Sequence, residues 1–335
     1  MGSDEGSDRF CVEVARALPE HTPVHVHLTT PPPESVESSR VRLARLRGVV
    51  AAARQVRPSR PRAAVYIPAA RKVTVPALLW AAVLRGMLRV PVVMISFRPE
   101  LPPWSRRLGR LVKPDLLLLT SQRECDEARR LGFKTDLIWN GADTRRFRPA
   151  EPGEKQALRR KWEVPASDFV VLHVGHLFEN RNLRALLPLA AAPGVTVLLV
   201  TSSLRRQPES DLLERDLRDG GVVVLTGYQP EIEELYRLSD CYVFPTVIPT
   251  GAVASPVSVV EARASGLPVV ARPFRALGEG IGEALGLHLV RSDEELVEQT
   301  LWLASAAPEV APFPEDFTWS GVARRVVQLV DGLDA

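Results

Sequence analysis

Ser239 to Ala271 reads SDCYVFPTVIPTGAVASPVSVVEARASGLPVVA. Cys241 to Phe244 is an apolar run that predicts a strand, and Val269 to Ala271 begins another after Gly266 and Pro268, at a distance suited to one βαβ crossover. Between them the pattern predicts a helix capped by Ser255, with Pro256 at its first position and its positive end facing the loop. Such an end is where a phosphate binds, and Glu261 sits about two turns further on, within reach of a group attached to that phosphate.

Outward from this stretch, the same alternation recurs. Phe169 to Val174, Val195 to Val200 and Val222 to Leu225 predict strands, and the first ends in Gly175-His176 and is followed by an apolar helix after Asn182. In the first half, Ala63 to Ile67, Val90 to Ile95 and Leu116 to Thr120 predict buried strands with helices between them. An α/β fold with parallel sheets covered on both faces follows. Polar residues 150 to 167 are read as the linker, and Asn140-Gly141 before them as a tight turn. The expected domains are residues 1–149, residues 150–314, and a C-terminal helix over 315–335 that packs back toward the first domain.

The 335 residues suffice for two such domains. Hydrophobic content of 45% and charged content of 25% suit a soluble globular protein, and the longest apolar run, Val73 to Leu84, is too short to span a bilayer. GSDEGSD after Met1 lacks the basic start and apolar segment of a secretion signal. The three cysteines, 11, 125 and 241, are far apart and read as buried thiols in a reducing compartment. A cytoplasmic location is expected, with the inner membrane surface left open.

That option comes from charge. Residues 1 to 149 hold 26 Lys+Arg against 14 Asp+Glu, net +12, whereas the rest holds 17 against 26, net −9. Arg40 to Arg57 carries six arginines and no acid along a helical apolar stripe of Leu43, Leu46, Val50 and Ala53, and Trp104 to Lys113 is a second basic segment. An anionic membrane surface suits these, and so does a helix that covers a sheet with its arginines in solvent. With 6% aromatic residues and no recognisable motif, nucleic acid is the least suitable partner. Val24 to Leu28 predicts a strand with His25 and His27 on one face, but no third ligand makes it a metal site.

Ordered motifs sharpen the second half: Asn140-Gly-Ala-Asp143 with Phe147 and Pro149, Val174-Gly175, Gly227-Tyr228, Leu235-Tyr236 with Ser239-Asp240, Phe244-Pro245-Thr246, Glu261-Ala262, Gly266-Leu-Pro-Val-Val270 and Phe317-Thr-Trp319. In this order and spacing, residues 115 to 330 resemble the retaining glycosyltransferases of family 4. The resemblance implies the GT-B architecture, two Rossmann-like domains facing a cleft, with the first domain reduced. It also implies sugar transfer, of hexosyltransferase type, from a nucleotide-sugar to a lipid-linked or glycan acceptor, with retained configuration and neither a cofactor nor a bound metal. No Asp-x-Asp motif is present.

Residue by residue, the resemblance puts the donor at Gly175, His176, Arg181, Tyr228, Val257, Ser258 and Glu261, and the acceptor near Arg9 and Arg98. The family's phosphate-binding Arg and Lys fall at His176 and Arg181, and its ribose-binding Glu falls at Glu261. Four features depart from the family. The first Glu of its pair, which meets the donor sugar, is Val253; its donor-side Gly is Pro256, which has no amide to offer; its His near the reacting sugar is replaced by Ser96-Phe97-Arg98. No family-like first strand precedes Arg9, so either Met1 is not the native start or the domain is reduced. These departures keep a second reading open, a non-catalytic nucleotide-binding or glycan-binding relative. A dehydrogenase fits poorly, because no Gly-x-Gly-x-x-Gly follows a strand.

Overall fold

The computed structural model describes residues 6–22, 48–68, 73–97, 112–201, 208–306 and 309–333. The chain divides into two units, residues 10–139 with 322–335 and residues 1–9 with 140–321.

The first unit is built on β1 (Ala64–Tyr66), β2 (Val92–Ile95), β3 (Leu116–Leu119) and β4 (Thr135–Leu137), paired in that order and all parallel. β2 and β3 are buried at every position, which explains the unbroken apolar runs VVMI and LLLL. The helices are α1 (Gly6–Ala17), α2 (48–56), α3 (Val75–Leu88) and α4 (Gln122–Arg130). α3 starts where Thr74 Oγ1 accepts from Ala77 N at 3.3 Å, and α4 where Ser121 Oγ accepts from Glu124 N at 3.3 Å. Ala77, Leu78, Met94, Leu117, Cys125 and Phe133 form one core cluster. The strand expected at Val24 to Leu28 with His25 and His27, the first part of the basic helix (residues 40–47) and all but the last two residues of Trp104 to Lys113 lie outside the described residues. So does the question of a reduced first domain.

The second unit carries α5 (Glu154–Lys161), β5 (Phe169–Val174), α6 (Leu187–Ala190), β6 (Val195–Thr201), α7 (Pro208–Asp219), β7 (Val223–Thr226), α8 (Ile232–Leu238), β8 (Cys241–Phe244), α9 (Val257–Ala264), β9 (Val269–Ala271), α10 (Ile281–Ala284), β10 (His288–Leu289), α11 (Asp293–Ala306) and the start of α12 (Trp319–Asp331). The sheet order is β10-β9-β8-β5-β6-β7, all parallel. Alternate positions Val171, Val197, Leu199, Cys241 and Val243 face one buried cluster under α7 and α11, with Leu213, Leu217, Leu296 and Leu303.

The strand order reverses between β5 and β8, and in open α/β sheets that switch point is where ligands bind. Pairing of β5 to β8 covers Val171↔Cys241 and Leu172↔Tyr242, whereas pairing of β5 to β6 continues to Val174↔Val200. β5 and β8 therefore part at their carboxyl ends.

Three expectations are corrected. Residues 150–167 are no linker, because α5 is part of the second unit: Arg159, 5% exposed, donates to the carbonyls of Leu238, Ala166 and Asp168 and pairs with Asp240. Asn140-Gly141 makes no tight turn; Ala142 bridges Thr318 instead, Ala142 N donates to Phe317 O at 2.9 Å, and a Cβ at Gly141 would come within 2.8 Å of Trp319 N. The division falls at 139/140 and 321/322, not at 149/150 and 314/315. Asn140 is held by Ser255, whereas Arg325 donates to Leu137 O and pairs with Asp136 in the first unit.

Candidate functional site

Where β5 and β8 part, their backbones are satisfied by side chains instead of by each other. His173 Nδ1 donates to Val243 O at 2.8 Å, and the Tyr242 hydroxyl donates to Val174 O at 3.3 Å and accepts from the Ser258 hydroxyl at 2.8 Å. The two rings stack with centroids 6.0 Å apart. Because its Nδ1 holds the proton, His173 keeps a lone pair on Nε2, and that atom is buried with no hydrogen-bond partner among the described residues. Burial first, and then the Arg181 charge, push its pKa down to about 3 against the Val243 bond, so it is neutral at physiological pH. Burial likewise raises Tyr242 to about 12, so it is a neutral donor.

Gly175 follows β5, and its N–H donates to Val200 O at 2.9 Å. A Cβ there would collide with Arg181 Nη1 and lie 3.0 Å from His173 Nε2 and 3.1 Å from Arg181 Cζ. Glycine is what lets this guanidinium lie against the backbone. Among the described residues the Arg181 side chain makes no hydrogen bond and no ion pair, and its Nε is buried. Burial lowers its pKa to about 10, which leaves it cationic at neutral pH. A half-buried cation with no protein acceptor is a prepared place for an anion.

The expected apolar helix is a 3-10 turn over Leu183–Leu186 followed by the four residues of α6, with Asn182 at φ 58° between Arg181 and that turn. His176 stacks on Phe178 with ring centroids 5.2 Å apart.

α9 begins as expected in place but not in chemistry. Ser255 does not cap it; Pro256 is the N-cap residue, and the Ser255 hydroxyl accepts from Asn140 N at 3.2 Å. Val257 and Ser258 remain the first two helical residues, whose N–H groups have no acceptor within a helix. Glu261, one turn on and 4% exposed, accepts from the Tyr236 hydroxyl at 3.1 Å, and Tyr236 stacks on Tyr242 at 6.0 Å. The loop of Val253 is held close to the β5 loop: Asn180 Nδ2 donates to Thr250 Oγ1 at 3.2 Å, and a Cβ at Gly251 would lie 2.5 Å from Asn180 O.

Gly175, Arg181, Val257, Ser258 and Glu261 are thus linked through Val174, Tyr242 and Tyr236. Tyr228 is not: 62% exposed after β7, it makes no ring contact or hydrogen bond among the described residues. Arg9 is helical, but its side chain, like all of Arg98, lies outside the described residues; Ser96 and Phe97 are buried, Phe97 against Phe10. His173 and Tyr242 were not singled out in the sequence, and Tyr236 was read there only as part of the Leu235-Tyr236 motif, with no role at the site. Their signal was a polar tip within an apolar strand or helix, where burial demands a partner. Among the described residues no three His, Cys, Asp or Glu side chains form a group able to hold a metal, and no helix is long and apolar enough to cross a membrane.

Residues 168–306, within the second unit, match the family model of glycosyl transferases group 1. EpsF, a putative glycosyltransferase of Bacillus subtilis, is 29% identical over 203 residues, 55% of this chain and 50% of EpsF. The chain spans about half the length of the curated relatives it matches. A glycosyltransferase from Rickettsia africae superposes with a TM-score of 0.75 at 13% identity, covering 98% of this chain and 95% of that one. Anabaena Alr3699/HepE, solved with UDP and glucose, superposes with a TM-score of 0.66 at 20% identity over 99% and 97% of the two chains. Two parallel-sheet α/β units and these neighbours make the fold GT-B.

Proposed function

We propose that the chain is a glycosyltransferase of hexosyltransferase type that moves a sugar from a nucleotide-sugar to an acceptor hydroxyl. One observation carries the reading: Arg181, a half-buried guanidinium unpaired among the described residues, stands at the switch point of a domain matching group 1 glycosyl transferases. A diphosphate supplies the anion this cation lacks, and the Val257 and Ser258 amides offer donors at the α9 N-terminus. His176 adds a further donor, and Glu261 takes the ribose hydroxyls. Tyr228 is kept as a residue for the base, because its exposed ring offers a stacking face.

In the reaction the bond between the sugar's anomeric carbon and the diphosphate oxygen breaks, and its electron pair leaves with the diphosphate. The acceptor oxygen forms the new bond on the same face, and its proton passes to a departing phosphate oxygen. Retention then needs no protein nucleophile. Arg181 and the amides stabilise the growing phosphate charge, and the domain's task is orientation. We keep this form free of cofactor and metal. Arg9 and Arg98 stay assigned to the acceptor side.

The net +12 of residues 1–149 favours an acceptor at an anionic cytoplasmic membrane surface. Flotation with vesicles containing phosphatidylglycerol should show binding that is lost at high salt; salt-independent flotation or none removes this partner.

Calorimetry with UDP, GDP and ADP tests the donor, and UDP comes first because HepE was solved with it. Binding of at least one is expected, followed by slow release of that diphosphate from its sugar conjugate without acceptor. No binding to any of the three overturns the reading, and binding without turnover reduces it to a nucleotide-binding module.

A further inference from the structure

Two groups at the switch point are unsatisfied in complementary ways. Among the described residues, His173 Nε2 is an acceptor, fully enclosed and without a donor, and Arg181 is a fork of donors without an acceptor, its Nε buried. Both border the one spot that a side chain at Gly175 would fill. A buried polar atom without a partner calls for a reason. The other ring nitrogen of His173 already has a structural task, since it closes the Val243 carbonyl where the β5–β8 ladder stops. A phenylalanine would fill the same apolar space without leaving an empty acceptor, so the Val243 bond alone does not account for Nε2.

We propose that His173 is a positioning residue: its Nε2 accepts an N–H of Arg181 when a diphosphate draws in the guanidinium, and so fixes the edge that Arg181 turns to the phosphate oxygens. A guanidinium binds two phosphate oxygens well only when its plane is held, and five donors on a flexible stem have several ways to meet a phosphate badly. A neutral imidazole suits this task because it accepts without adding a competing positive charge. The inference rests on the diphosphate reading above, and its substrate class is that of the same site.

The two roles of the ring can be separated, because Asn places a donor near the position of Nδ1 and Gln an acceptor near that of Nε2. Full-length wild type, His173→Asn, His173→Gln and Arg181→Ala are titrated with pyrophosphate and with UDP, and their melting is recorded. His173→Asn should melt near the wild type yet bind both ligands about tenfold more weakly, whereas His173→Gln should recover binding to within about threefold. In an Arg181→Ala background His173→Asn should cause no further loss. If His173→Asn binds as the wild type does, or weakens binding equally with and without Arg181, the positioning role is wrong. If His173→Gln melts well below the wild type, the double variant decides: a further loss on Arg181→Ala overturns the role, and none supports it. If the wild type binds neither pyrophosphate nor any of UDP, GDP and ADP, the diphosphate reading fails and takes this inference with it. If Arg181 matters and His173 does not, only the inference fails.

Discussion

The Tyr236 hydroxyl donates to Oε2 of Glu261 at 3.1 Å, and both side chains are enclosed, Tyr236 at 0% and Glu261 at 4% exposure. A carboxylate so placed on the second turn of α9 needs its hydrogen bonds, and a ribose hydroxyl adds to those it has. Glu261→Ala should weaken UDP binding at least tenfold and leave pyrophosphate binding unchanged, since pyrophosphate has no ribose. Tyr236→Phe should cost about 1 kcal/mol of stability for the lost hydrogen bond. Equal losses for UDP and pyrophosphate in calorimetry would remove the ribose role from Glu261.

Arg181 should show stability and binding pulling apart. With no ion pair among the described residues and a pKa lowered by burial, it is a burden on the unliganded fold. Arg181→Met keeps the stem's bulk without the charge. It should melt at or above the wild-type temperature while UDP and pyrophosphate affinity fall about a hundredfold, the scale of one charge-assisted pair. A variant that melts lower would show that the guanidinium has a structural partner.

Much of this was legible in the sequence and some was not, for identifiable reasons. β5 was readable to the residue because FVVLHV is buried on both faces and bounded by polar residues and Gly175. Ser255 was misread as a cap because its usual partner, an amide of the next turn, lost to Asn140 N, 115 residues away. Local preference cannot report such a distant competitor. The linker was misread for the same reason: the polarity of 150–167 is real, but Arg159 and Trp162 spend it on groups of α8 and its flanks. Arg181 was found by resemblance, yet its lack of a carboxylate partner among the described residues is a property of the fold alone.

Gly175→Ala tests how closely the site is packed. The added methyl would meet the far end of Arg181 before any backbone, so the fold has an inexpensive escape: the guanidinium moves. Stability should change by less than about 1 kcal/mol while UDP affinity falls as in Arg181→Met. At Gly251 the first obstacle is Asn180 O, a backbone atom, at 2.5 Å, so Gly251→Ala should cost about 1–3 kcal/mol in urea unfolding. Unperturbed UDP binding in Gly175→Ala would mean that Arg181 does not need its place beside the backbone.

His173 gives stability a dependence on pH whose sign is fixed. The unfolded side chain takes a proton near pH 6.5, whereas burial in the folded state delays it to about 3. Between these values the unfolded chain holds one proton more, so stability rises with pH, is complete above about 6.5, and is lost as pH falls toward 3. A full proton corresponds to a slope of about 1.4 kcal/mol per pH unit. His173→Asn has nothing to titrate there, so its urea-unfolding free energy should fall less steeply between pH 6.5 and 4.5 than that of the wild type. Identical slopes would mean that folded His173 takes its proton near pH 6.5, as the unfolded chain does, so burial does not keep it neutral below that pH, where its Nε2 could not accept from Arg181.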